Sequence, residues 1–113
     1  MEIQVHEKGG LFGTERTVVV DDAWITVTED GTTARQSLTP TARSQLQDAI
    51  ARVMSDQHPV QAQDVEMYDA AEMTINLQHA DRSRTLTIRG ADEPSESVLD
   101  LLELIDAASE TGV

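Results

Sequence analysis

Residues 73–89 read MTINLQHADRSRTLTIR. Met73, Ile75, Leu77 and His79 alternate with Thr74, Asn76 and Gln78, and beyond Ala80-Asp81-Arg82-Ser83 the alternation resumes with Leu86 and Ile88 inward. Period-two patterning on both sides of a short polar break describes a β-hairpin with one buried face. That face needs a covering layer, and the chain supplies two candidates. Thr39-Pro40 offers a hydroxyl N-cap and a proline at the first helical position. Ala42, Leu46, Ala49, Ile50 and Val53 then form one helical stripe. Pro59 disfavours helix at His58, so this helix should stop near Gln57. After Asp92-Glu93-Pro94, the residues Val98, Leu101, Leu102, Ile105 and Ala108 mark a second stripe, with Gly112 as its end.

The N-terminal third extends the sheet. Ile3 and Val5 alternate with Gln4 and His6, and Thr17-Val18-Val19-Val20 has strong β character. Ala23, Ile25 and Val27 oppose Trp24, Thr26 and Thr28, and Asp30-Gly31 is a tight-hairpin pair leading into a polar returning strand, Thr33 to Leu38. His58 to Ala70 is polar and aperiodic, which predicts a connecting loop. The expectation is one α+β domain over residues 1–113: an antiparallel sheet of five or six strands with both helices on one face. Ile3, Val5, Val19, Ile75, Leu77, Leu86 and Ile88 are the expected inward strand positions.

Composition narrows function. Net charge is −13, and Lys8 with seven arginines makes up the whole basic set. Nucleic-acid contacts need clustered Lys and Arg, so direct DNA or RNA binding is disfavoured, while a basic protein partner is not. The charge also serves solubility. No cysteine is present, which removes disulfides and thiolate metal sites. The start, Met1 to Glu7, carries neither a basic segment nor an apolar run, and no stretch is long enough to span a bilayer. A cytoplasmic protein with no membrane partner, monomeric when free, is the expectation.

Chemistry is hard to find. His6, His58 and His79 fall on separate elements and outside any His-Glu-x-x-His pattern, so no metal is expected, and His79 reads as a satisfied or rim histidine. No Gly-x-Ser-x-Gly elbow exists, and Ser95-Glu96-Ser97 is explained by helix capping. Catalytic residues and cofactors are therefore not expected.

The unusual segment is Gly9-Gly10-Leu11-Phe12-Gly13. It lacks the Lys-Ser/Thr and following helix of a phosphate loop. Glycines there permit positive φ and close backbone approach. Leu11 and Phe12 either fold back onto the core or stand out as anchors for a partner's pocket. Trp24, off the Ile25–Val27 face, is either covered by a helix or a second anchor.

The opening Ile3-Gln4-Val5-His6-Glu7-Lys8-Gly9-Gly10-Leu11-Phe12-Gly13 resembles that of the emfourin family, protein inhibitors of thermolysin-like (protealysin-type) zinc metalloproteases. The likeness continues coarsely through the helix start Leu38-Thr39-Pro40, the stretch Asp64 to Tyr68 before the hairpin, and Leu101-Leu102 after Asp92-Glu93-Pro94. It implies a non-enzymatic protein whose rigid loop occludes a protease cleft. Gly9, Gly10, Leu11, Phe12 and Gly13 would be the contact residues, with Asp22 and Trp24 of the neighbouring connection beside them. The competing expectation is an acidic adaptor or decoy for a basic protein.

Overall fold

The computed structural model describes residues 1–9, 14–62, 71–90 and 92–110. In chain order the elements are β1 (Glu2–Gly9), β2 (Thr14–Val20), β3 (Trp24–Glu29), β4 (Thr32–Ser37), α1 (Pro40–Ser55), β5 (Val60–Gln61), β6 (Glu72–His79), β7 (Arg82–Arg89), β8 (Glu93–Pro94) and α2 (Glu96–Glu110). Six strands form an antiparallel sheet in the order β4-β3-β2-β1-β6-β7. The two-residue strands β5 and β8 pair separately, Val60 opposite Pro94. The expected loop from His58 thus contains a short strand and a buried Pro59; residues 63–70 of it lie outside the described set.

β1 is central, paired along its length with β2 on one side and β6 on the other. The register aligns Ile25, Val20, Ile3 and Leu77 in one row and Val27, Val18, Val5, Ile75 and Leu86 in the next. Apart from Val27, which is partly buried and packs against it, these rows meet Leu46, Ala49, Ile50 and Val53 of α1 and Val98, Leu101 and Ile105 of α2 in one buried cluster. Both helices therefore cover a single face, as α+β layering requires. At about 1.5–3 kcal/mol per fully buried aliphatic side chain, these residues are the main source of stability.

Val19 corrects the sequence reading. Val18 and Val20 are buried, and Val19 lies on the opposite, uncovered face. A run of three valines has no alternation of its own, so its phase comes from pairing with Ile3 and Val5. Leu102 of the expected α2 stripe is only partly buried, and Met54 joins the α1 stripe.

Local chemistry sets the boundaries. Thr39 Oγ1 accepts the Ala42 N–H at 3.1 Å, and Pro40 occupies the first helical turn. The β3–β4 turn places Asp30 (φ 50°) and Gly31 (φ 83°) both in the left-handed region, the signature of a type I′ hairpin. Gly112, expected to end α2, lies outside the described residues, as does Tyr68.

Candidate functional site

β1 and β2 remain paired up to Gly9 opposite Thr14. Gly9 has φ 113°, a conformation a residue with Cβ rarely adopts. The sequence-nominated Gly10, Leu11, Phe12 and Gly13 lie outside the described residues, so only their anchor points are placed. Those anchors belong to a particular end of the sheet. Lys8 pairs with Glu72, and the Gly90 N–H donates to the Ala71 carbonyl at 3.1 Å. Residues 10–13 and residues 63–70, the two stretches on which the resemblance partly rests, are therefore joined to neighbouring strands at one end.

Around these anchors lies a concavity of about 350 Å³, lined by Glu7, Gly9, Arg16, Met73, Ile88 and Gly90 among others. Met73 and Ile88 face the helix side but lie one row beyond the fully buried rows, and both are only partly buried. Charge surrounds them: Arg16 lies 3.9 Å from Glu7 and 3.6 Å from Asp106, and Arg89 lies 3.1 Å from Glu72. On the uncovered face His6 contacts Thr17 Oγ1 through Nδ1 at 3.1 Å and Glu15 through Nε2 at 3.1 Å. The exposed pairs among these, Arg89–Glu72 and His6–Glu15, contribute little stability, on the order of 0–1 kcal/mol each. Their effect is to fix where charge stands around a small apolar patch.

Asp22 and Trp24 were expected beside the glycine loop, and the structure separates them from it. They lie at the opposite end of β2, whose seven residues span about 20 Å. The β2–β3 connection is built by Asp21, whose Oδ1 accepts from the N–H groups of Ala23 (2.8 Å) and Trp24 (2.7 Å). These two bonds hold its carboxyl below the ordinary range. The Asp22 carboxylate meets the Met1 amine at 3.0 Å, and its carbonyl accepts from Arg43. Trp24 is covered by neither helix. It lies on the open face, 38% exposed, with the Arg35 guanidinium 4.0 Å from its ring centroid, a cation–π contact that already occupies one side of the ring.

The densest polar cluster sits near Trp24's end, at the junction of α1 and α2. Asp56 Oδ2 accepts from Ser95 Oγ (2.5 Å) and Ser97 Oγ (2.6 Å), and Oδ1 accepts the His58 N–H (2.9 Å). These bonds lower the Asp56 pKa to about 2. A carboxylate so stabilised is a weak base and cannot activate either hydroxyl at neutral pH. The cluster is a staple: it ends α1, starts α2 and sets a negative charge at the positive end of the α2 dipole. Arg84 completes it by donating to the carbonyls of Val53 and Asp56, each at 2.7 Å.

His79, expected as a satisfied or rim residue, is half-buried at the start of the hairpin turn, and its Nδ1 has no hydrogen-bond partner among the described residues. Among the described residues no three His, Asp or Glu side chains stand together as a metal site, and no helix is long and apolar enough to cross a membrane. Nothing in the local sequence pattern marks Met73 and Arg16 as surface-forming residues. The available signal was the register, in which both fall one row past the helix-covered core. No family model matches this chain, and no curated protein matches it.

Proposed function

We propose that this protein is a reversible inhibitor of thermolysin-like zinc metalloproteases that enters the substrate cleft with the glycine-loop end of its sheet. The reading is supported by the resemblance of residues 3–13 to the emfourin opening, together with one structural observation. The β1–β2 ladder is paired through Gly9 and Thr14, so only four residues join two central strands of a six-stranded sheet. A segment with such short, fixed anchors loses little entropy on docking, which is what a non-reacting occluder requires. Leu11 and Phe12 supply the apolar anchors; Gly9, Gly10 and Gly13 permit the backbone to approach the cleft closely. Met73 and Ile88 broaden the contact, toward a standard interface on the order of 1,600 Å² in total. Asp22 and Trp24, at the far end, are outside this contact.

The test adds the purified protein to several thermolysin-like enzymes with a peptide substrate. Competitive behaviour is expected: apparent KM rises while kcat is unchanged. Undiminished hydrolysis at micromolar protein across those enzymes rejects the reading.

A second reading, an acidic adaptor for a basic protein, is favoured by one observation. α2 carries Glu96, Asp100, Glu103, Asp106 and Glu110 with no basic residue, and its Leu99 is 48% exposed. Binding through that helix would weaken steeply with salt, whereas apolar anchoring in a cleft would not.

A further inference from the structure

The two edges of the sheet are not alike. β7 carries Arg82, Arg84 and Arg89, and β5 lies against it; charge and a covering segment are the usual protections of an exposed edge. β4, with the sequence Thr-Thr-Ala-Arg-Gln-Ser, has no proline and no carboxylate, and five of its six residues are exposed. Its hydrogen-bond phase follows from the turn. Glu29 and Thr32 close a two-residue hairpin, and the Leu38 N–H reaches the Ala23 carbonyl at 2.8 Å. Thr32, Ala34 and Gln36 therefore bond to β3, and the N–H and C=O groups of Thr33, Arg35 and Ser37 point outward. Among the described residues nothing pairs with them.

Beside this edge, on the helix side, is a groove of about 340 Å³. Val27 and Ala34 with the buried Ile25 beneath form its apolar floor, and Arg16, Arg35, Gln36 and Ser109 its margin. Gln36 Nε2 donates to the Ala108 carbonyl, tying β4 to the end of α2. Arg16 Nε is buried with no acceptor among the described residues, although its terminal nitrogen lies 3.6 Å from Asp106 and 3.9 Å from Glu7. On the open side Arg35 lies over Trp24. Among the described residues no carboxylate lines the groove, in a chain with 21 acidic residues.

We infer that the β4 edge is a second binding site, which accepts an extended peptide of alternating apolar and acidic residues as a seventh strand. Strand addition supplies main-chain hydrogen bonds from Thr33, Arg35 and Ser37, and side-chain pockets supply selectivity. The pleat assigns the alternation. Side chains facing the helices enter the groove over Val27 and Ala34, so they are apolar, and those facing the open side meet Arg35 where it lies over Trp24, so they are acidic. The inference is independent of the inhibitor reading, because it uses no residue of the glycine-loop contact surface except Arg16 at the groove margin.

The probe is a hexapeptide of alternating Glu and Val, labelled with fluorescein on its N-terminal amine and amidated at its C-terminus, followed by polarisation, with amide exchange measured on the intact protein. Saturable binding is expected, with slowed exchange at Thr33, Arg35 and Ser37. Replacing the peptide's Glu residues by Lys should weaken binding at least tenfold. Thr33→Pro, which removes an outward N–H without breaking a β3 bond, should do the same, and Ala34→Leu should weaken binding by filling the groove. Circular dichroism establishes that each variant is folded. No saturation by about 1 mM peptide, the weak limit for a specific contact, overturns the proposal, as does unchanged affinity in both variants. A free protein that is dimeric, and made monomeric by Thr33→Pro, would assign the edge to a second copy instead.

Discussion

Where α1 stops, Asp56, Ser95, Ser97, His58 and Arg84 satisfy one another within 2.5–2.9 Å. Where β1 meets β2, partly buried Met73 and Ile88 stand among charged side chains, beside a glycine at φ 113°. Neither helix reaches far enough to bury that last row of the sheet. The first end secures the two helices to each other and to β7. The second leaves a small apolar surface on a scaffold already stabilised elsewhere. The proposed binding surface lies at one end of a small domain whose stability resides at the other end and in the core between.

That contrast can be broken most severely in the core. Ile75→Ala removes a fully buried side chain from the core and should cost about 2–5 kcal/mol, read by chemical denaturation. Arg84→Met strips the partners from the Val53 and Asp56 carbonyls and should cost about 1–3 kcal/mol. Neither should change inhibition while the protein remains folded.

Acid separates the two ends in another way. The folded-state pKa of Asp56 is depressed to about 2 from an ordinary 3.8. Its contribution to stability is therefore fully present above pH 4 and lost as pH falls from about 4 through 2. Asp56→Asn should lower the Tm at pH 6, and the gap to the unmodified protein should narrow steadily across that window. A gap of constant size from pH 6 to pH 2 would remove Asp56 as the acid-sensitive element of the staple.

The hairpin was legible because Ile75, Leu77, Leu86 and Ile88 alternate strictly, and both helices because their stripes and Thr39-Pro40 are unambiguous. The valine run at 18–20 was not, because three adjacent β-branched residues carry no phase until a partner strand supplies one. The strand β5 escaped notice because two residues are too few to show a period. Site geometry was least legible. Asp22 and Trp24 follow the glycine loop closely in sequence, yet a seven-residue strand carries the chain the full height of the sheet between them. The Asp56 staple joins residues about forty positions apart, a pairing that no local pattern announces.

Smaller effects sharpen the comparison. Ala80 sits at φ 54° in the β6–β7 turn, where a Cβ is disfavoured by about 1–2 kcal/mol. Ala80→Gly should therefore stabilise the fold by a fraction of that amount in thermal unfolding, and leave binding untouched. Gly9→Ala imposes the opposite strain at the other end. It should destabilise by about 1 kcal/mol while weakening inhibition by more than that loss explains.

The most direct measurement compares inhibition constants of Phe12→Ala and Trp24→Ala against one thermolysin-like protease, with the Tm of each recorded alongside. If the glycine-loop end is the contact, Phe12→Ala raises the inhibition constant at least tenfold with little change in Tm, and Trp24→Ala leaves it within about twofold. A large fall in Tm with unchanged inhibition for Phe12→Ala, or a loss of inhibition confined to Trp24→Ala, would contradict the account.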